Sequence, residues 1–229
     1  LINLGNISDT RMAAMEISMK AALSKGIPVV LDAVGVSCSE LRRKYIAKLL
    51  DIRSKFVSNE SSFFLIKGNY SEIKTLSNHS YRSKGVDADT KLACTEVSDE
   101  AKALAKEYKV CVLASGAVDI VTDGEKVSCI RSGVPMMGNV TGTGCMLGAI
   151  CACFLSVQKD IDAVICACVC FGIAGEYADA NLNKRTRMDD FGHVYGNGSF
   201  MVQLLDEIYS MTDEKISLDR FNICERQER

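Results

Sequence analysis

The chain has 229 residues, 48% of them hydrophobic, with only two prolines and a formal net charge of −2. That composition supports a sizeable core and excludes a disordered chain. Its 27 basic and 29 acidic residues are interspersed, which leaves no electrostatic footprint for a nucleic acid or an anionic membrane.

Along the chain, short apolar runs alternate with longer amphipathic ones. Leu1–Leu4 is apolar and ends at Gly5; the opening L-I-N-L-G, without a methionine, sets the expectation that an amino-terminal part of the fold is missing from this chain. Expressed from Leu1 alone, the chain is expected to fold poorly and to turn nothing over. A helix is predicted from Ser8 or Asp9, either of which can cap it, through M-A-A-M-E-I-S-M-K-A-A-L, with Gly26 as its left-handed terminator. I-P-V-V-L-D (27–32) reads as a buried strand ending on an acid, S-E-L-R-R-K-Y-I-A-K-L-L (39–50) as an amphipathic helix, and R-S-K-F-V-S-N-E-S-S (53–62) as a polar loop. F-F-L-I-K-G-N (63–69) is a strand running into a Gly-Asn turn, followed by a short helix, Y-S-E-I-K-T-L (70–76). S-D-E-A-K-A-L-A-K-E-Y (98–108) is a helix with Ser98 as N-cap and early acids that suit its dipole. V-C-V-L-A-S-G (110–116) is another buried strand, and D-I-V-T-D-G-E-K-V-S-C-I (119–130) a hairpin turning on Asp123-Gly124. Helices over 144–158, 161–181 and 199–210 follow, then a charged, peripheral tail from Thr212.

This alternation predicts an α/β fold with a mostly parallel central sheet covered on both faces, in a single domain over 1–229. The most apolar stretches, 145–157 and 163–175, fall short of the about 20 residues that cross a bilayer and read as central helices. Eleven cysteines raise the prospect of disulfides or a metal, but no C-x-x-C occurs and the histidines are only His79 and His193. C-A-C and C-A-C-V-C place cysteines two apart, where helical side chains do not meet. Apart from Cys145, these are expected to be buried thiols used as small hydrophobes in a reducing compartment, the cytoplasm.

In sheets of this kind ligands gather beyond the carboxyl ends of the strands. Strand ends therefore supply the candidates: Asn3, Gly5, Asp32, Lys67, Asn69, Ser115 and Gly116. In V-T-G-T-G-C, Thr141, Gly142, Thr143 and Gly144 precede an apolar helix, so small residues would let backbone N–H groups and the positive helix end meet an anion. A migrating phosphoryl group needs that setting; a plain loop packed with small residues has the same letters. Cys145, at the helix start, is a candidate proton acceptor or nucleophile, and the scarcity of histidine favours the former. In K-G-N-Y-S-E, Lys67, Asn69 and Glu72 could arrange Mg²⁺ and a nucleotide phosphate. The plain alternative is an Asn cap followed by a Glu that stabilises the helix dipole. Asp32 is either a turn-capping acid or a further Mg²⁺ carboxylate. There is no G-x-x-x-x-G-K-[ST] and no protein-kinase set.

Taken in order, L-I-N-L-G, V-V-L-D-A-V-G, I-K-G-N-Y-S-E-I, K-G-V-D-A, S-G-A-V-D-I-V-T-D-G, V-T-G-T-G-C-M-L, G-I-A-G-E and G-N-G-S-F resemble the hydroxyethylthiazole kinase family, over essentially all but the tail. T-G-T-G-C is the sharpest of these, because related kinases usually carry Asp where this family carries Cys. The resemblance implies a ribokinase-like, three-layer α/β/α fold. It also implies transfer of the ATP γ-phosphate to 4-methyl-5-(2-hydroxyethyl)thiazole with Mg²⁺, in thiamine salvage. By motif position, Cys145 stands at the catalytic base and Gly142 at the substrate and anion site. Lys67 and Ser115 fall at ATP contacts, and Asp32, Asn69 and Glu72 at the handling of Mg²⁺ and phosphate. A homotrimer with sites between subunits is implied too, the absent amino-terminal segment lining part of the thiazole pocket.

The chain departs from the family in having Lys67 for Arg, Ser115 for Thr, Ala33 for the Pro of L-D-P-V-G and Asn197 for the Pro of G-P-G-S-F. Lysine keeps the charge but loses the planar two-pronged grip. The insertion near 53–62 reads as peripheral. Rival functions are another kinase on this fold, for hydroxymethylpyrimidine or pyridoxal, a cysteine-nucleophile transferase or hydrolase, and a nucleotide binder without catalysis.

Overall fold

Alternating side chains along each strand divide the interior into two cores. In β2 (Val29–Asp32), Val29 and Leu31 enter one and Val30 the other; in β3 (Phe64–Asn69), Phe64 and Ile66 oppose Leu65 in the same way. Our structure, a computed structural model, describes residues 1–56, 62–78, 94–184, 195–216 and 223–225. K-G-V-D-A (84–88), His79, His193 and residues 57–61 of the polar loop lie outside the described residues.

The sheet has seven strands in sequence order: β1 (Ile2–Asn3), β2, β3, β4 (Cys111–Ser115), β5 (Asp119–Thr122), β6 (Val127–Ile130) and β7 (Ile223–Glu225). β1 to β4 pair in parallel, and β5 to β7 extend the sheet antiparallel. Crossovers between parallel neighbours are right-handed, so a sheet that grows in one direction sends them all to one face. That face carries α1 (Asp9–Ser24), α2 (Glu40–Ser54), α3 (Tyr70–Ser77) and α4 (Cys94–Tyr108), whose Met19, Leu49, Ile73 and Leu104 share one core. The opposite face is covered by α5 (Thr143–Val157), α6 (Ile161–Lys184) and α7 (Asn197–Tyr209), through Leu147, Cys151, Val164, Phe171 and Phe200. The expected three-layer arrangement is therefore present, with each layer of helices contributed by one half of the chain.

Most boundaries follow from local chemistry. Ser8, not Asp9, caps α1, its hydroxyl accepting from the Arg11 N–H at 3.3 Å. Gly26 and Gly124 take φ of 63° and 96° at the expected helix end and hairpin. Several boundary expectations change: α2 runs on to Ser54, so the first two residues of the expected polar loop are helical, and α7 starts two residues early, at Asn197. α4 begins at Cys94, so Ser98 lies inside the helix and buried, because Val97 joins the core and draws the preceding turn in. α6 runs for 24 residues, and its segment Ile161–Asn183 is long and apolar enough to cross a membrane; here it packs between α5, α7 and the sheet, with Val164, Ala167, Cys168 and Ala174 buried. The tail is not wholly peripheral, since β7 adds an edge strand beside β6. The cysteines also divide: Cys111, Cys151 and Cys168 are buried as expected, whereas Cys38 and Cys153 are exposed. All ten described are free thiols.

Candidate functional site

The register of the parallel strands builds a charged line. Asn3 pairs with Asp32 and Asp32 with Lys67, so three polar side chains end three adjacent strands side by side. Asp32 shares the face of Val30, and Lys67 that of Leu65, which turns both toward α5. There the Asn3 Nδ2 donates to Asp32 Oδ2 at 3.0 Å, and the Lys67 ammonium lies 3.4 Å and 3.5 Å from the two carboxylate oxygens. Both members of the ion pair are almost wholly buried. Such a pair contributes little net stability but is costly to break, because the survivor is a lone buried charge. Burial pushes the Asp32 carboxyl up from its ordinary value, opposed first by the neighbouring Lys67 ammonium.

α5 is seated on this pair through glycine. A Cβ on Gly144 would lie 3.3 Å from Lys67 Nζ, and one on Gly148 would lie 3.1 Å from Asp32 Oδ2 and 3.7 Å from Lys67 Cδ. Gly144 and Gly148 are four apart and share a helix face, so together they form the groove that admits the two charges. Gly142 is the N-cap at φ 102°, a conformation that glycine adopts without strain. The Thr143 hydroxyl donates to the Met137 and Val140 carbonyls at 3.0 and 3.1 Å and tightens the loop. The first helical amide bond of the usual span is Met146 N–H to Gly142 O at 2.9 Å. Among the described residues, no acceptor meets the amides of Gly144 and Cys145. Those donors, the positive end of a 15-residue helix and the Lys67 ammonium converge on one spot. Thr141 and Gly142 are exposed there, and Cys145, third residue of α5, is half-buried.

The loop is held from behind. Cβ atoms on Gly172 and Gly175 of α6 would collide with Ser132 and Met137, so G-I-A-G-E is the bed for the segment that leads into the loop before α5. Glu176 Oε1 accepts from the Gly133 amide at 2.9 Å. Asn197, in place of the family's proline, donates from Nδ2 to the Asn139 carbonyl at 3.2 Å, tying α7 to the same segment.

Asn69 and Glu72 form a capping box at the start of α3: the Asn69 side chain accepts from the Glu72 amide at 2.9 Å, and Glu72 Oε2 accepts from the Asn69 amide at 2.7 Å. The plain structural reading of N-x-x-E is thus realised. Glu72 does more, since Oε1 accepts from the Gly35 amide at 2.7 Å, in the D-A-V-G turn after β2. Burial raises the Glu72 carboxyl above its ordinary value; the Asn69 and Gly35 amides and Lys67 oppose that rise, and Asp32 adds to it. Two buried carboxylates therefore face one ammonium.

Ser115 pairs with Asn69 across β3 and β4, its hydroxyl donating to the Gly68 carbonyl at 3.3 Å. The next turn is pinned by the Gly116 amide, which donates to Asp119 Oδ1 at 3.0 Å. Burial lifts the Asp119 carboxyl to about 6, against the Gly116 amide and Lys67. Gly148, Gly35, Tyr70 and Asp119 were not singled out from the sequence. Gly35 and Asp119 lie inside motifs already quoted, whereas an isolated glycine in an apolar helix carries no local signal.

A cavity of about 520 Å³ lies at the opposite, amino end of the parallel strands, lined by Arg53, Phe64, Lys106, Lys109, Glu125 and Lys159 among others. It contains none of the strand-end residues above.

Residues 1–214 match the model of the hydroxyethylthiazole kinase family. The chain is 38% identical over 221 residues to a hydroxyethylthiazole kinase of Thermoanaerobacter pseudethanolicus, covering 96% of this chain and 76% of that protein. It is 37% identical to one from Clostridium perfringens, covering 94% and 77% of the two chains. The structure of a hydroxyethylthiazole kinase protein from Pyrococcus horikoshii superimposes with a TM-score of 0.79 at 27% identity, over 99% of this chain and 76% of that one.

Proposed function

Since the chain belongs to the hydroxyethylthiazole kinase family, we propose that it transfers the γ-phosphate of ATP to the primary alcohol of 4-methyl-5-(2-hydroxyethyl)thiazole beneath the first turn of α5, as a thiamine-salvage enzyme. The observation that carries the site assignment is the pair of unclaimed amides at Gly144 and Cys145, set against Lys67 and beside a half-buried sulfur.

The alcohol oxygen attacks the γ-phosphorus, the bond to the β,γ-bridging oxygen breaks, and ADP leaves with that oxygen. Charge grows on the non-bridging oxygens, where the Gly144 and Cys145 amides, the α5 dipole and the Lys67 ammonium stabilise it without reorganising. Cys145 Sγ receives the alcohol proton. Gly142 leaves open space beside the loop for the alcohol, no atom lying within 4 Å of where its Cβ would be. Ser115 borders the nucleotide at the end of β4, with Lys67 on its phosphates.

Asp32, Glu72 and Asn69 supply oxygen donors of the kind Mg²⁺ takes. Among the described residues no group of three His, Cys, Asp or Glu side chains is placed to hold a metal ion. When bound, Mg²⁺ neutralises charge on the β- and γ-phosphates.

The family resemblance supports a homotrimer with sites between subunits, and exposed Met201, Val202, Leu205 and Tyr209 on α7 give an apolar surface for subunit contact. Free thiols fit the cytoplasm.

The test offers ATP, Mg²⁺ and one of three acceptors (the thiazole alcohol, hydroxymethylpyrimidine or pyridoxal) and reads phosphorylated product by mass. Thiazole phosphate is expected; pyridoxal phosphate without it overturns the reading.

A further inference from the structure

The turn between β4 and β5, residues 116–118, follows directly on Ser115 and is exposed at Gly116 and Ala117. A turn in that position needs something beneath it, and Tyr70 supplies it. A Cβ on Gly116 would lie 2.7 Å from both Cε1 and Cζ of the Tyr70 ring, so the glycine backbone rests directly on the aromatic edge. The Tyr70 hydroxyl donates to the Val118 carbonyl at 2.6 Å, at the far side of the same turn. The ring is buried, with 6% of the residue exposed.

Tyr70 is itself fixed. It is the first residue of α3, directly after Asn69 and two before Glu72, and the capping box holds that helix start while Glu72 also grips the Gly35 amide. A continuous series of contacts thus joins the turn after β2, the start of α3 and the turn after β4. The Asp119 carboxylate closes the last of these through the Gly116 amide.

We infer that Tyr70 is a positioning residue for nucleotide binding, holding the 116–118 turn through ring and hydroxyl so that Ser115 and the Gly116 backbone meet ATP in one place. The inference rests on the reading of Ser115 as an ATP neighbour. Tyr70 touches neither the alcohol nor the anion loop, so its loss is expected to weaken nucleotide binding and leave the acceptor side unchanged.

Tyr70→Phe keeps the ring and removes the hydroxyl, with its bond to the Val118 carbonyl and its contact with the Cys94 thiol. Tyr45→Phe is the matched control: it removes a buried tyrosine bond of equal length, Tyr45 to the Met12 carbonyl at 2.6 Å, between α2 and α1. ADP affinity is measured by calorimetry, and KM for ATP and for the thiazole alcohol in the same proteins. The expected result is ADP and ATP binding weakened about fivefold in Tyr70→Phe, the worth of one hydrogen bond, with the KM for thiazole and kcat within about twofold. Gly116→Ala, which drives a methyl into the ring, is expected to weaken ADP binding further. Tyr45→Phe is expected to lower the melting temperature without changing either KM. Tyr70→Phe with nucleotide binding equal to that of the unmodified protein overturns the inference, as does a parallel rise of both KM values; the kinase assignment survives either. If the unmodified protein binds ADP and Ser115→Ala does not weaken it, the nucleotide reading fails and the inference falls with it.

Discussion

The two ends of the parallel strands make opposite use of charge. At the amino end, Lys106 is half exposed and loosely paired with Glu125 at 3.8 Å, and Arg53 donates to the Tyr108 and Lys109 carbonyls while lying over Phe64. The cations there are solvated or occupied in holding the chain, and the cavity is wide. At the carboxyl end, Asp32, Lys67 and Glu72 are buried, two helix amides have no partner among the described residues, and glycines clear a way to the charges. Solvated or structurally engaged cations mark one end and buried charges the other, and the chemistry proposed above belongs to the second.

Replacing the sulfur tests that contrast most severely. Cys145→Ala is expected to lower kcat by a factor of about 10² to 10⁴, the usual worth of a positioned proton acceptor, while Cys145→Asp retains much of the activity. Steady-state kinetics decide, and a dead Asp variant would favour a covalent cysteine nucleophile.

Gly148→Val sharpens the comparison next. Its Cβ would meet Asp32 Oδ2 at 3.1 Å and Leu1 Cδ1 at 3.5 Å, and the added branches must displace one or lift α5. Urea unfolding is expected to show a loss of about 1–3 kcal/mol, with kcat/KM falling at least about tenfold because the anion loop moves away from Lys67.

Asp119 offers a smaller, pH-dependent effect. Its folded pKa of about 6 lies above the ordinary carboxylate value, so the native state holds the proton more tightly than the unfolded chain does. The associated stability is complete below about pH 4 and is lost as pH rises through about 6. Asp119→Asn should therefore flatten the decline in denaturation midpoint across that window; an unchanged slope would contradict the assigned shift.

Least affected should be Lys109→Ala at the amino-end cavity, with kcat/KM within about twofold of the unmodified protein. A tenfold loss would move chemistry to the wrong end of the sheet.

Much of this contrast is legible in the letters. I-P-V-V-L-D and F-F-L-I-K-G-N declare strands with polar ends, and T-G-T-G-C before an apolar run declares a helix start. The pairing of Asp32 with Lys67 is not legible, because it depends on the β2–β3 register, which joins residues 35 apart. Gly148 acquires its meaning only through that pairing. Ser98 misleads because serine before acids looks like a cap, yet the burial of Val97 carries the helix one turn further back. N-x-x-E takes the plain alternative, a capping box, and its carboxylate also reaches across to the turn after β2.

Strand order has one more consequence. β1 to β6 each lie beside their neighbour in sequence, so the sheet can be laid down progressively as the polypeptide leaves the ribosome, α1 to α4 closing one face along the way. The other face, which bears Asp32 and Lys67, waits for α5 to α7. In such an order Asp32 and Lys67 would lose their water, and meet the α5 amides, only as those last large helices dock, so a chain truncated before α5 is expected to leave both charges open to solvent.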